Sequence, residues 1–100
     1  MAEEKQFENR VKRWLKSKGI WHVKYFANSF TPVGTPDILG VVNGRFLAIE
    51  VKAERGRTSP LQEYNIKEIQ RCGGIAIVLR PSGFEDFKKL IEGVLNDTTI

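Results

Sequence analysis

Two carboxylates and a lysine stand on two short apolar segments that an Asn-Gly pair separates. Asn43-Gly44 between β-rich runs is the strongest short-range signal for a hairpin with a two-residue loop. Such a loop places Asp37 directly opposite Glu50, with Cβ atoms about 5 Å apart on one face of the hairpin. Lys52 lies two residues beyond Glu50 and therefore points to the same face.

Two like charges opposite each other destabilise a strand pair, so we expect a cation between these acids. A ligand set without histidine or cysteine suits Mg²⁺ or Mn²⁺ rather than Zn²⁺. A metal there would lower the pKa of a bound water and hold a phosphate oxygen. Lys52 would orient or help deprotonate that water and would stabilise transition-state charge. The pattern therefore predicts hydrolysis of a phosphate ester.

Two further polar residues are predicted near this cluster. Glu8 falls at the border of the apolar stripe of the first helix, from which it can reach the edge of the sheet. Its alternative role is an exposed ion pair with Lys12 at i+4. Gln62 belongs to the first turn of a helix that Ser59 and Pro60 begin, and the helix start can hold a phosphate. The alternative role of Gln62 is to complete a capping box with Ser59, and the two roles are compatible.

The elements that position these residues follow in the order α-β-β-β-α-β-α. The first helix is predicted over residues 3–18, and a half-buried strand over 21–26. The hairpin strands are predicted over 37–42 and 45–52. The second is apolar on both faces, which favours a central position in the sheet.

After the hairpin, a helix beginning at Ser59 is expected to turn Leu61 and Cys72 toward the core, and a buried strand follows at 75–79. The last helix is expected to open with a capping box from Ser82 to Glu85. A helix between the hairpin and the final strand allows a parallel crossover. The predicted fold class is α/β, with a mixed central sheet flanked by helices.

Length and composition limit the possible classes. One hundred residues predict a single domain over 1–100. No apolar run approaches the ~20 residues of a membrane span, and the N-terminus lacks the apolar segment of a signal peptide. A lone cysteine, Cys72, fits a reducing intracellular compartment. We therefore expect a cytoplasmic protein without a membrane partner, and we expect Cys72 to pack in the core.

The charge is distributed unevenly along the chain. The net charge is +4, and residues 1–60 hold 11 basic against 6 acidic side chains, while residues 61–100 hold 5 against 6. A positive surface beside a carboxylate cluster suits a polyanion, above all nucleic acid. Arg55 and Arg57 are candidates for phosphate contacts or, alternatively, ordinary solvated charges. The aromatic residues Trp21, Tyr25 and Phe26 are expected in the core or at a dimer contact, with base stacking as the alternative.

The ordered set of motifs resembles the PD-(D/E)XK nuclease superfamily, and more closely its VRR-NUC branch. The pattern consists of Gly34-x-Pro36-Asp37, then Glu50-Val51-Lys52, then Gln62 in the next helix. It spans roughly residues 5–80 and lies on a restriction-endonuclease-like α-β-β-β-α-β core. The small size is similar to that of the stand-alone phage and bacterial members.

The resemblance implies a metal-dependent endonuclease that hydrolyses DNA. Asp37, Glu50 and the carbonyl of Val51 would bind Mg²⁺ or Mn²⁺, with no small-molecule cofactor. Lys52 would serve catalysis, while Glu8 would be the acid of the first helix and Gln62 would support the site. Stand-alone members resemble Holliday junction resolvases, which act as homodimers on branched DNA. The alternatives are a non-catalytic DNA-binding module on the same fold and a small dimeric scaffold without affinity for nucleic acid.

Overall fold

The fold is a four-stranded mixed sheet with helices on both faces. The computed structural model describes residues 2–97. The elements, in chain order, are α1 (Ala2–Ser17), β1 (His22–Lys24), β2 (Ile38–Val42), β3 (Arg45–Val51), α2 (Pro60–Arg71), β4 (Ile75–Leu79), a 3₁₀ turn (Pro81–Gly83) and α3 (Phe84–Leu95). The predicted element order is therefore confirmed. The first strand is shorter than the predicted 21–26.

The strands lie in the order β1-β2-β3-β4, so β3 is central as predicted. The β2–β3 hairpin is antiparallel, and β4 runs parallel to β3 after the crossover through α2. Parallel pairing needs such a crossover, because a tight turn cannot return the chain in the same direction. The predicted α/β class with a mixed sheet and flanking helices is confirmed.

The two faces of the sheet carry different helices. The larger core lies against α1 and α3, where apolar residues such as Phe7, Leu15 and Phe87 pack on the face that carries Ile38 and Ile49. The smaller core lies on the opposite face, where Ile66 of α2 covers Ala48 and Ala76. Successive strand residues alternate between the faces. Glu50 therefore points to the face that α2 covers.

Three expectations about the helices are wrong. Leu61 is 50% exposed, and Cys72 is also exposed rather than packed in the core. The expected capping box of the last helix does not form, because Ser82 donates its hydroxyl and its backbone N–H to the carboxylate of Glu54, at 2.6 and 2.8 Å. A 3₁₀ turn precedes α3 instead. Within residues 2–97, no helix has the length and apolar character to cross a membrane.

Candidate active site

The hairpin turn sets the register that brings the two acids together. Asn43 and Gly44 both have positive φ, 47° and 79°, which is the conformation of a type I′ turn. The strands pair from Val42 with Arg45 to Ile38 with Ile49. Continuing that register by one residue places Asp37 opposite Glu50.

The Glu50 carboxylate is buried, with 3% of the residue exposed. Its Oε2 atom accepts a hydrogen bond from Gln62 Nε2 at 3.0 Å and lies 3.7 Å from Lys52 Nζ. Its Oε1 atom has no hydrogen-bond donor among the residues that the structure describes. A buried acceptor without a donor is costly, so this oxygen is suited to a cation or a proton.

The environment of Glu50 opposes its ionisation. Burial is the main cause that raises its pKa from the ordinary 4.5 to about 8, and the negative charge of Asp37 acts in the same direction. The positive charge of Lys52 offsets this only in part. Without a metal, the site therefore favours a proton on the acid pair at neutral pH. A divalent cation would replace that proton and allow both carboxylates to be charged.

Backbone and side-chain donors fix the Asp37 carboxylate. Its Oδ2 atom accepts a hydrogen bond from the backbone N–H of Val51 at 2.9 Å, so it is tied directly to the strand that carries Glu50. Its Oδ1 atom lies 3.4 Å from Lys24 Nζ. The structure thus brings Asp37, Glu50 and Lys52 together, as the sequence predicted.

Gln62 performs both of the roles that the sequence left open. Its backbone N–H donates to the Ser59 hydroxyl and its side-chain oxygen accepts from the Ser59 N–H, which completes the capping box. Its amide nitrogen donates to Glu50. Helical geometry puts Gln62 and Ile66 on one face, so Leu61, one residue earlier, is turned about 100° away. This explains why the inner face predicted from Leu61 was wrong.

Glu8 reaches the acid pair only through a lysine. It is 5% exposed and accepts hydrogen bonds or ion pairs from three lysines, of which Lys24 is nearest at 2.8 Å. The pair with Lys12, given as the alternative role of Glu8, is present at 3.1 Å, but Glu8 is buried rather than exposed. Because α1 packs on the face opposite to Glu50, Glu8 connects to the site by way of Lys24, which also lies beside Asp37.

The lysines determine the charge of Glu8. Burial alone would raise its pKa, but the hydrogen bonds from Lys24, Lys12 and Lys5 outweigh it and lower the pKa from 4.5 to about 2. Lys24 is a site residue that was not predicted from the sequence. Its only signal was its position on a strand next to the hairpin, where a lysine can face either the solvent or the helix that carries Glu8.

The donor set fits a hard divalent cation. Among residues 2–97, no three or more histidine, cysteine, aspartate or glutamate side chains gather into a metal-ligating group. Asp37 and Glu50 are therefore two carboxylates, which is the number that Mg²⁺ commonly takes from a protein, with waters and substrate phosphate as the other ligands. The buried Oε1 of Glu50 without a donor is the observation that favours an ion here.

Several other candidates lie on the surface. Arg55 and Arg57 are exposed in the loop after the hairpin. Trp21 and Phe26 are 64% and 75% exposed, so neither lies in the core, and their expected place at a dimer contact stays a prediction.

The mixed sheet, the helices on both faces and an acid pair beside a lysine are consistent with a restriction-endonuclease-like nuclease core. Comparison with protein families gives a match to the VRR-NUC domain over residues 15–82. The chain therefore belongs to the VRR-NUC family, which points to a nuclease function. The match includes Asp37, Glu50, Lys52 and Gln62 but begins after Glu8. Neither the curated proteins nor the solved structures gave a match.

Proposed function

We propose that the protein is a Mg²⁺- or Mn²⁺-dependent endonuclease that hydrolyses DNA phosphodiester bonds. Asp37, Glu50 and the carbonyl of Val51 would hold the ion. The observation that carries this proposal is the buried Oε1 atom of Glu50, which has no donor among the described residues and lies on the face shared with Asp37. Removing a carboxylate from water without a partner is unfavourable, and a cation offsets that cost.

The protein residues have separate parts in this proposal. A bound ion would supply an activated water and a clamp for a phosphate oxygen. Lys52 extends the same face and places an ammonium group where it can orient the water or stabilise negative charge. Gln62 holds Oε2 of Glu50, so Oε1 would remain available to bind an ion. Lys24 and Glu8 fix the Asp37 carboxylate from the other side.

The substrate proposed for this site is branched DNA, such as a four-way junction, cut by a homodimer. The excess of basic side chains in residues 1–60 supports a polyanionic partner. A symmetric cut of a symmetric junction needs two active sites, and a two-fold dimer provides them. Sedimentation at micromolar concentration should give a dimer, and a monomer alone would contradict this part. The exposed free thiol of Cys72 supports a reducing, cytoplasmic location.

A cleavage assay tests the proposed activity. Four-way junctions, flaps and linear duplexes are incubated with Mg²⁺, with Mn²⁺ or with EDTA. We expect metal-dependent cutting that Lys52→Ala reduces by at least about 100-fold, within the usual range for a group that acts in proton transfer. Lys89→Ala on α3 is the matched control, because Lys89 is an exposed lysine on the other side of the sheet. Absence of metal-dependent cutting, or equal cutting by Lys52→Ala, would overturn the proposal.

A non-catalytic DNA-binding module is the second candidate. The observation that favours it concerns Asp37. Both carboxylate oxygens of Asp37 already have partners within the protein, the backbone N–H of Val51 and the ammonium group of Lys24. This candidate gives salt-sensitive DNA binding. It requires that Asp37→Asn and Glu50→Gln leave every activity on DNA unchanged, whereas the nuclease proposal requires both variants to lose cleavage.

A further inference from the structure

An uncharged loop with exposed apolar side chains leads directly into the candidate site. Residues 25–36 contain no charged side chain, although the whole chain is 28% charged. Three apolar side chains of this loop are largely exposed, and Phe30, at 94%, is the most exposed large hydrophobic residue described. Single exposed hydrophobic residues are common, but this group lies in one loop whose two ends meet at Asp37.

Both ends of the loop are fixed beside the site. The backbone N–H of Tyr25 donates to the carbonyl of Asp37 at 2.7 Å, which closes the loop at the residue that carries a site carboxylate. On the other side, Asn65 Nδ2 donates to the carbonyl of Val33 at 3.3 Å. Gly34 has a φ of +85° and lies so close to Leu61 that an added Cβ would stand 2.8 Å from its carbonyl carbon. The loop is thus packed on the first two turns of α2, and the first of these holds Glu50 through Gln62.

A hydrogen-bonded turn presents Phe30 at the surface. Asn28 Oδ1 accepts the backbone N–H of Phe30 at 2.7 Å. The Thr31 hydroxyl accepts the N–H of Asn28 and donates to the Asn28 carbonyl, each at 2.9 Å. A turn with these bonds limits the conformations of the backbone around Phe30. The ring therefore lies at the surface already in the free protein, and this preorganisation reduces the conformational entropy lost on binding.

The chemistry of the loop selects one kind of DNA contact. With no Lys or Arg, it cannot make the ion pairs that hold the phosphate backbone. An aromatic ring offers a flat apolar face, and every nucleobase has a π-face that stacks on such a ring. Positive charges that can contact the phosphates lie instead after the hairpin that follows the loop, at Lys52, Arg55 and Arg57. Aromatic platforms beside basic residues are the usual arrangement for unpaired strands.

We propose that Phe30 stacks on an unpaired or unstacked base of the DNA, at the branch next to the bond that is cut. The inference rests on the proposed nuclease function for the identity of the partner, and it adds a base-binding position to it. Bases in an intact duplex are already stacked on both sides, so the contact favours branch points, gaps and single strands. Phe30 would thus contribute to selecting DNA structure, while the acid pair and Lys52 would act on the phosphate.

Binding measured without metal tests this inference independently of cleavage. Fluorescence anisotropy in EDTA compares a junction with unpaired bases at its centre, a single strand and a fully paired linear duplex. For Phe30→Ala we expect at least about 10-fold weaker binding to the first two, as for loss of one stacked base. Binding to the duplex should change less than 2-fold. Phe30→Trp should keep the affinity, and Phe30→Leu, which keeps apolar volume without a π-face, should behave like Phe30→Ala.

Trp21→Ala is the matched control. Trp21 is also an exposed aromatic residue, but its carbonyl pairs with Val41 near the hairpin turn, at the opposite end of the strands from Asp37. We expect it to bind all three DNAs like the wild type. Because Phe30 is almost fully exposed, its variants should melt like the wild type.

Three outcomes overturn the inference. The first is that Phe30→Ala binds unpaired DNA like the wild type, and the second is that its affinity for the paired duplex falls equally. The last is that Phe30→Ala changes the protein from dimer to monomer and shows no preference among the DNAs. The last would assign the ring to contact with a second copy of the chain. If Phe30→Ala loses affinity only for DNA with unpaired bases, and the wild type cuts no DNA, the inference would be sustained and the nuclease proposal overturned. A wild-type protein that binds no DNA would overturn both.

Discussion

At the scale of single residues, the two buried glutamates are held in opposite states of charge. Burial disfavours the charged form of Glu50, the negative charge of Asp37 adds to this effect, and Lys52 offsets it only in part. Glu8 accepts from Lys24, Lys12 and Lys5, so its charged form is favoured. Each glutamate should therefore make stability depend on pH, but in different ranges and with opposite sign.

Glu50 should destabilise the metal-free protein at alkaline pH. Its pKa is raised in the folded state from 4.5 to about 8. The folded protein therefore binds a proton that the unfolded chain releases, and this contribution is complete below pH 4.5 and lost as pH rises through about 8. Melting temperatures in EDTA should fall for the wild type over that range and fall less for Glu50→Gln. We expect the difference at pH 9 to reach at least about 1 kcal/mol, or roughly 4–8 °C for a domain of this size. Parallel curves for the two proteins would contradict the assignment.

Glu8 should destabilise the protein at acid pH. Its pKa is lowered in the folded state from 4.5 to about 2. Its contribution is therefore present above pH 4.5 and lost as pH falls toward 2. In urea melts, the loss of stability between pH 5 and 3 should be smaller for Glu8→Gln than for the wild type. We expect a difference of about 1 kcal/mol, because solvent screens the pair with the exposed Lys5. Glu85→Gln, at an exposed pair on α3, is the control and should leave the acid dependence unchanged.

At the scale of elements, two glycines fix the backbone around the site. Gly44 has a φ of +79° in the hairpin turn that sets the register of Asp37 and Glu50, and its Cβ position is open. Gly34 has a φ of +85° and also lies against the backbone of α2. A side chain at Gly34 would therefore meet both strain and a clash, while one at Gly44 would meet strain alone.

Alanine substitutions should separate these two effects. Gly44→Ala should cost about 1 kcal/mol in the free energy of unfolding. Gly34→Ala should cost more, and should also weaken cleavage because the contact between the loop and α2 must shift. Gly93→Ala in α3, where φ is ordinary and the Cβ site is open, should stabilise by up to about 1 kcal/mol. Urea unfolding gives the order, and equal losses at Gly34 and Gly44 would exclude the clash.

The elements that the sequence predicted well are those with local signals. The Asn43-Gly44 turn, the Ser59 cap and the burial of β3 on both faces depend on neighbouring residues, and all three are observed. The inner face of α2 was mispredicted because Gln62, a polar residue, points inward to a buried acid. Ser82 failed as a cap because Glu54, distant in sequence, takes both of its donors. Contacts of this kind depend on the tertiary fold.

At the scale of the whole molecule, the site lies at one end of the sheet, where helices from both faces meet it. α2 provides Gln62 from one face, and α1 provides Glu8 from the other through Lys24. The acid pair and Lys52 were predictable because they share two adjacent strands. Lys24 was not, because its role depends on how α1 packs across the sheet. The exposed Phe30 was not predictable either, since its loop has no periodic pattern that would give its burial.

The most direct test of the central claim, that Asp37 and Glu50 form a divalent metal site, is calorimetric titration with Mn²⁺ at pH 7 in two buffers of different ionisation enthalpy. We expect binding whose heat depends on the buffer, because the ion displaces the proton favoured on Glu50. Glu50→Gln should weaken binding at least about 10-fold and remove the buffer dependence, while Glu85→Gln should bind like the wild type. Equal Mn²⁺ affinity of the wild type and Glu50→Gln, or no binding by the wild type, would contradict the account.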